Sequence, residues 1–278
     1  LVDNGHPPDA GPVIGVAWDG TGLGRDGHIW GGEFLVGDYR GLRRAAHLEY
    51  LPMPGGDAAT RNPWRLAVGY LEATAGRAPS LLGIDRQQID IVRQQVALGL
   101  NTPLTSAVGR LFDAVAALAG VRQTVTYEAQ AAIELEMLAT VWAARQGAAE
   151  EPAAYPFDFE QLDGRTVIRL RRLLEAVEEE RARGVSAGEI GWRFHRTLAE
   201  LLLAVCQKVA GETGPRIVAL SGGCFQNRLL LGLAVPRLEQ AGFKVLLHQQ
   251  VPCNDGGVSL GQAALAQFAP AQLAGTAA

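Results

Sequence analysis

The sequence predicts an α/β fold whose ligand sits in a crevice at the carboxyl ends of neighbouring strands. Two segments predict it. Arg216-Ile-Val-Ala-Leu220-Ser221-Gly222-Gly223-Cys224-Phe225-Gln226-Asn227 runs from a short apolar stretch into a Ser-Gly-Gly turn. Leu229, Leu230, Leu233, Val235 and Leu238 follow at helical spacing. The arrangement then recurs: Phe243 to His248 as a strand, Pro252-Cys-Asn254-Asp255-Gly256-Gly257 as a turn, and Val258 to Phe268 as a helix. Glycine turns of this kind let backbone N–H groups approach an anion, and the helix start adds partial positive charge. Two such turns at the same end of adjacent strands make a nucleotide the leading ligand.

The remaining elements follow in chain order. Residues 13–18 form a buried-type strand, and Asp19 to Gly27 is a polar glycine-rich turn. His28 to Val36 returns as the second strand of a hairpin. Residues 38–57 read as irregular, ending in Pro52-Met-Pro-Gly-Gly-Asp57, and helices are predicted over 58–76 and 86–99. Thr105 or Ser106 can cap the next helix, whose apolar face is Val108, Leu111, Phe112, Val115 and Leu118. Glu128 to Gln146 continues as helix, and acidic Glu150 to Gly164 reads as a loop or small insertion. Ser186-Ala-Gly-Glu189 is a capping-box pattern that opens a long helix to about residue 212. The strand-turn-helix pair closes the chain, and Pro270 to Ala278 is expected to fray.

Composition narrows the class of function. With 278 residues, 48% hydrophobic and 19% charged, the chain can bury a sizeable core and is not a disordered sequence. Net charge is −4, and among 25 basic residues only Lys208 and Lys244 are lysines, so no basic nucleic-acid footprint is present. No apolar run is long enough to span a bilayer, and residues 1–12 hold no signal-peptide core. Cys206, Cys224 and Cys253 are odd in number without C-x-x-C spacing, which suits reduced thiols and a cytoplasmic location.

Several residues carry candidate chemistry. Ser221-Gly222-Gly223 is neither a Walker A nor a G-x-G-x-x-G sequence, so a plain tight turn competes with nucleotide binding. A serine hydrolase is disfavoured because Ala219 stands where the nucleophile elbow has glycine. In addition, no histidine follows Asp255 to complete the order Ser-Asp-His. Asp19 and Asp255 each lie in a glycine turn after a strand, either as Asx-turn residues or as hard oxygen ligands for a divalent ion. Two carboxylates are too few for a tight site, so further ligands or substrate phosphates are required. Asp113 can accept both hydroxyls of a ribose, or simply pair with Arg110. Arg40, Arg43, Arg44, Arg61 and Arg65 are either a solvated face or bidentate anion grips. His28 and His47 flank polar segments and are candidates for touching substrate, whereas His6 and His195 read as solvated or structural.

Taken together, six motifs resemble one family. They are Gly15-Val-Ala-Trp-Asp19-Gly-Thr-Gly22, Asp26-Gly-His-Ile-Trp-Gly-Gly-Glu-Phe34, Gly37-Asp-Tyr-Arg-Gly41, Asn101 to Ala114, Leu220 to Asn227, and Pro252 to Gln262. The stretch from about residue 12 to 268 is similar to the C-terminal part of the HypF carbamoyltransferases of nickel–iron hydrogenase maturation.

The resemblance implies an actin-like (ASKHA) nucleotide-binding fold, related to threonylcarbamoyl transferases acting on tRNA and to antibiotic O-carbamoyltransferases. Residues 1–100 would be the remainder of a first lobe with a family insertion, and 101–278 a second lobe. In the family, an acylphosphatase domain, zinc modules and a YrdC-like domain come first. The YrdC-like domain makes carbamoyl-adenylate from carbamoyl phosphate and ATP. The domain similar to this chain passes the carbamoyl group to the C-terminal cysteine of HypE. Asp19 and Asp255 match the family's metal ligands, for Fe, Zn or Mg. Asp113, Glu128, Ser221, Gly222, Gly223 and Asn227 fall where relatives hold the adenylate, with the Ser221 to Cys224 amides on its phosphate. Arg40, Arg43 and His47 are candidates for gripping the carbamoyl group. Two departures stand out. Ala129 follows Tyr127-Glu128 where the family has glycine, and the family's His-x-x-x-His metal pair lies upstream of Leu1, implying N-terminal truncation. A small-molecule O-carbamoyltransferase and a non-catalytic partner-binding module are the alternative readings.

Overall fold

The computed structural model describes residues 1–146 and 152–268. Nine strands form one sheet, ordered β6-β7-β3-β2-β1-β8-β9, with β4 and β5 paired beside β2. The opening hairpin is β1 (Val13–Leu23) against β2 (Ile29–Asp38), antiparallel from Val13↔Gly37 to Leu23↔Ile29. The apolar run of residues 13–18 starts β1, but the strand continues through the expected turn to Leu23, with a register shift between Trp18 and Gly22. Asp19 therefore sits in a bulged strand end rather than a free loop.

Residues 38–57 are not irregular. They form β3 (Gly41–Leu48), antiparallel to β2, then β4 (Leu51–Pro52) and α1 (Asp57–Arg61). The strand escaped a hydropathy reading because Arg44 and His47 occupy buried positions in it. Arg44 is neutralised by Glu33, itself 2% exposed: Nη2 donates to Oε1 at 2.7 Å. Glu33 also accepts from the Gly32 amide at 2.8 Å and the Ser106 hydroxyl at 2.6 Å. Burial pushes the Glu33 carboxyl up, while Ser106 and Arg44 pull it down. A charged residue inside a strand is tolerated when its partners are buried with it.

Helices α2 (Pro63–Ala75) and α3 (Arg86–Leu98) match the expected pair, with Pro63 opening the first. After β5 (Leu104–Thr105) comes α4 (Val108–Leu118), whose N-cap is Ala107. Neither expected residue caps it: the Thr105 hydroxyl accepts from the Ala107 amide at 3.0 Å, and Ser106 turns to Glu33. Helix α5 (Gln130–Gln146) starts two residues later than expected, because Ala129 adopts φ 58° and cannot join the helix. In place of a loop, residues 158–169 form the hairpin β6 (Asp158–Leu162) and β7 (Arg165–Arg169), and β6 is exposed along its length. The polar strand gives no alternation to read. Residues 150 and 151 of that segment, and the tail from 270, lie outside the described residues.

Helix α6 (Arg171–Ala182) precedes α7 (Ala187–Thr213), where the Ser186 hydroxyl accepts from the Glu189 amide as the capping pattern predicts. The chain closes with β8 (Ile217–Ser221), α8 (Arg228–Gln240), β9 (Lys244–Leu246) and α9 (Val258–Phe268). Strands β1, β8 and β9 are mutually parallel, in register Gly15↔Ala219 and Ala219↔Leu246. Their carboxyl ends thus share one edge. The core beneath that edge includes Trp18, stacked on Phe225 at 5.5 Å, and Phe112, edge-on to Phe194 at 4.9 Å.

Candidate functional site

The two glycine turns meet. The Gly222 amide donates to the Cys253 carbonyl at 2.8 Å, tying the turn after β8 to the one after β9. Gly222 has φ 110°, and a Cβ there would lie 2.1 Å from the Trp18 carbonyl, so only glycine lets β8 turn this close to β1. Residues Gly223–Gln226 form a 3₁₀ turn whose bonds start at Phe225, donating to Gly222. The amides of Gly223 and Cys224 find no acceptor among the described residues.

The helix start behaves differently from expectation. The Glu136 carboxylate of α5 accepts from the Arg228 and Leu229 amides at 2.9 and 3.2 Å, and the Asn227 side chain accepts from Leu230 at 2.8 Å. The N-terminus of α8 is therefore already satisfied by an internal anion. The free donors belong to the turn, not to the helix.

Beside these amides lies a cavity of about 990 Å³. Seven of the sequence-derived candidates line it: Asp19, Arg61, Asp113, Glu128, Gly223, Asn227 and Asp255. Ser221 and Gly222 line an adjoining cavity of about 420 Å³ that shares Asp19 and Asp255 with the first. Residues more than two hundred positions apart in the chain thus converge. Their environments differ. Glu128 and Asp255 are exposed. The Asx turn at the second loop is made by Asn254, whose Oδ1 accepts from Gly256 at 3.1 Å. Asp19 Oδ1 accepts from the Gly20 amide at 2.7 Å.

Asp113 is buried, with Arg110 Nη2 2.8 Å from its Oδ2, and burial lifts its carboxyl to about 6 against the pull of Arg110. Asn227 has both side-chain heteroatoms in use. Its oxygen caps α8, so its nitrogen faces His195 Nε2 at 2.9 Å, and His195 Nδ1 lies 2.6 Å from the Gly191 carbonyl. These contacts fix a neutral His195 with its proton on Nδ1. Burial holds the imidazole down at about 4, in keeping with a structural histidine.

Oxygen donors suit a divalent cation, but among the described residues no group of three or more His, Cys, Asp or Glu side chains is placed to hold one. Asp19 and Asp255 make at most part of a ligand set.

Arg40, Arg43 and His47 do not line either cavity. Arg40 lies in the β2–β3 turn, beyond Gly37, which pairs with Val13 at the opposite end of β1. His47 is buried, with Nδ1 2.8 Å from the Leu48 carbonyl. His28 packs on Tyr50 at 4.6 Å, beside Asp26 rather than in the cleft. Of the five arginines offered as anion grips, Arg61 lines the large cavity, and Arg110 and Glu136 add charge to it. Arg110 pairs with Asp113 one helical turn on, as their i, i+3 spacing predicts. Glu136 carries no local signal, because its partner amides are about ninety residues away in sequence.

Fold and cleft together define a class: an actin-like α/β protein with a cleft at the carboxyl ends of parallel strands. Residues 15–262 match the family described as "Carbamoyltransferase, Kae1-like Domain, second subdomain", and the chain belongs to it. Carbamoyltransferase HypF2 of Cupriavidus necator is 40% identical over 273 residues, which cover 90% of this chain and 33% of that protein. A crystal structure of full-length HypF in the phosphate- and nucleotide-bound form superposes with a TM-score of 0.83 at 40% identity, over 92% of this chain and 39% of that one. HypF from T. kodakarensis gives 0.76 at 32% identity, over 92% and 34%. The chain spans about a third of the length of the curated relatives it matches first. Among the described residues no helix is long and apolar enough to cross a membrane.

Proposed function

We propose that this chain forms the carbamoyl-transfer cleft of a HypF-type protein. It holds carbamoyl-adenylate and presents it to the C-terminal cysteine thiol of a HypE-type partner in nickel–iron hydrogenase maturation. The observation that carries the reading is the convergence of both glycine turns, with unpaired Gly223 and Cys224 amides, on one cavity that Asp19, Asp113, Glu128 and Asp255 also line. A solved relative described as phosphate- and nucleotide-bound supports the same ligand class.

The chemistry asks little covalent work of the protein. Carbamoyl-adenylate is a mixed anhydride with AMP as its leaving group, so holding the phosphate and aligning the acceptor suffice. The Gly223 and Cys224 amides donate to the phosphate oxygens, and the buried Asp113–Arg110 pair offers the carboxylate edge to the ribose. The acceptor thiol comes from outside. Burial pushes the Cys224 and Cys253 thiols up, away from the reactive thiolate. If Asp19 and Asp255 hold a divalent cation, its remaining ligands come from beyond these residues, and the ion would polarise the phosphate or carbamoyl oxygen. ATP is consumed upstream, by the YrdC-like domain of the same polypeptide.

The test supplies full-length protein with ATP and carbon-labelled carbamoyl phosphate, and offers three acceptors: a peptide ending in cysteine, a small polyol and tRNA. Label on the peptide thiol is the expected result. Label on the polyol or tRNA alone, or on none of them, would overturn it.

A further inference from the structure

We propose that Ser221 and His248 form a proton relay that deprotonates the acceptor as it attacks the carbamoyl carbon, an inference that rests on the carbamoyl-transfer reading above. Ser221 is the last residue of β8, and His248 follows β9, its parallel neighbour. The two side chains meet at the strands' carboxyl ends, with His248 Nε2 3.0 Å from Ser221 Oγ. Both line the 420 Å³ cavity together with Asp19, Gly222 and Asp255, and that cavity shares Asp19 and Asp255 with the larger one.

The loop holding the imidazole is pinned from a third element. The Asp3 carboxylate, in the 3₁₀ turn Val2–Asn4, accepts from the Gln249 amide at 2.6 Å and the Gln250 amide at 3.1 Å. His248 Nδ1 is buried and has no partner among the described residues. Nε2 is the nitrogen within reach of the serine, and the relay uses the tautomer that carries its proton on Nδ1. Burial also holds the imidazole below its ordinary value, which keeps it in the neutral form able to take a proton.

A purely structural reading, in which the bond only fastens β9 to β8, leaves its place unexplained. The strands are already in register from Ile217↔Lys244 to Ala219↔Leu246, and the bond lies beyond that ladder on the cavity wall.

The step balances as follows. The acceptor sulfur forms a bond to the carbamoyl carbon, and its proton passes to Ser221 Oγ while the serine's own proton passes to His248 Nε2. The bond from the carbamoyl carbon to the phosphate oxygen breaks, and AMP leaves with that electron pair. The imidazolium later releases its proton to water. Serine and histidine return unchanged, and the protein supplies no nucleophile. A sequence search for a hydrolase misses this pair, since it looks for a histidine after Asp255 and His248 precedes it.

The experiment uses full-length protein and single-turnover transfer from bound carbamoyl-adenylate to a cysteine-ending peptide. His248→Ala and Ser221→Ala should each lower the transfer rate by about 10²- to 10⁴-fold, the range for a positioned acid–base group. Added imidazole should partly restore the His248→Ala protein, and the nucleotide affinity of that variant should change by less than a few fold. A second acceptor with an acidified thiol, ionised before it binds, should shrink the defect towards unity. Wild-type rates in both variants, or an equal defect with protonated and ionised acceptors, would overturn the relay. Failure of the wild-type protein to carbamoylate either thiol would overturn the carbamoyl-transfer reading itself, and the relay with it.

Discussion

Ala129→Gly should make the protein more stable, although glycine is usually a destabilising replacement. Ala129 sits at φ 58°, a left-handed conformation, directly before α5 on the wall of the large cavity. That region costs a residue with a Cβ about 1–2 kcal/mol. Glycine removes the strain but adds about 0.4–1 kcal/mol of unfolded-chain freedom. The net gain is up to about 1.6 kcal/mol, with a middle value of about 0.8 kcal/mol. With a urea dependence of about 3 kcal/mol per molar, expected near the upper end for a chain of this size, that middle value should raise the midpoint by about 0.3 M. Ala144→Gly, inside α5 with helical backbone, is the matched control and should lose up to about 1 kcal/mol. Urea titrations of the three proteins give the answer directly. A midpoint for Ala129→Gly at or below wild type would refute the strain argument.

Three further outcomes follow from buried polar contacts. Asn227→Ala removes a helix cap, worth about 1 kcal/mol, and strands His195 Nε2, at about 1–3 kcal/mol, so urea unfolding should report a loss of about 2–4 kcal/mol. Glu33→Ala leaves the Arg44 guanidinium buried without its closest carboxylate and should cost about 3–5 kcal/mol in thermal or urea unfolding, with much of that recovered when Arg44→Met is added. His195 is held at about 4 when folded and titrates near 6.5 when unfolded, so the unfolded chain binds the extra proton between those values. Its stabilising contribution is complete above pH 6.5 and is lost as pH falls towards 4. The stability advantage of wild type over His195→Gln should therefore shrink by up to about 3 kcal/mol between pH 7 and 4, and a pH-independent difference would contradict the assignment.

The parts of the fold legible in the sequence are those where local chemistry and tertiary role agree. The run Ile217 to Leu220 and its glycine turn identify β8 because an apolar strand and a φ > 0 requirement coincide at Gly222. The β1–β2 hairpin, α4 and α7 are visible for similar reasons. Strand β3 is hidden because Arg44 and His47 break its apolar pattern while lying in the core, and the carboxylate that compensates Arg44, Glu33, comes from another strand. Strand β6 was hidden because every residue of it is exposed.

The site divides in the same way. Gly223 and Asp255 could be placed from their turns, and Asp19 from following an apolar strand, and all three line the cavity. The capture of the α8 terminus by Glu136 could not, since it depends on how α5 packs near α8. Nor could the Ser221–His248 contact, which joins two strand ends through sheet pairing. The family resemblance implies a ligand role for Asn227, whose two side-chain heteroatoms are engaged with Leu230 and His195.

The most direct test of the account is a crystal structure of the protein with a non-hydrolysable carbamoyl-adenylate analogue. The account predicts analogue phosphate oxygens within about 3 Å of the Gly223 and Cys224 amides, with Glu136 still seated on the start of α8. An analogue bound away from that turn, or one that displaces Glu136 to occupy the helix terminus, would contradict it.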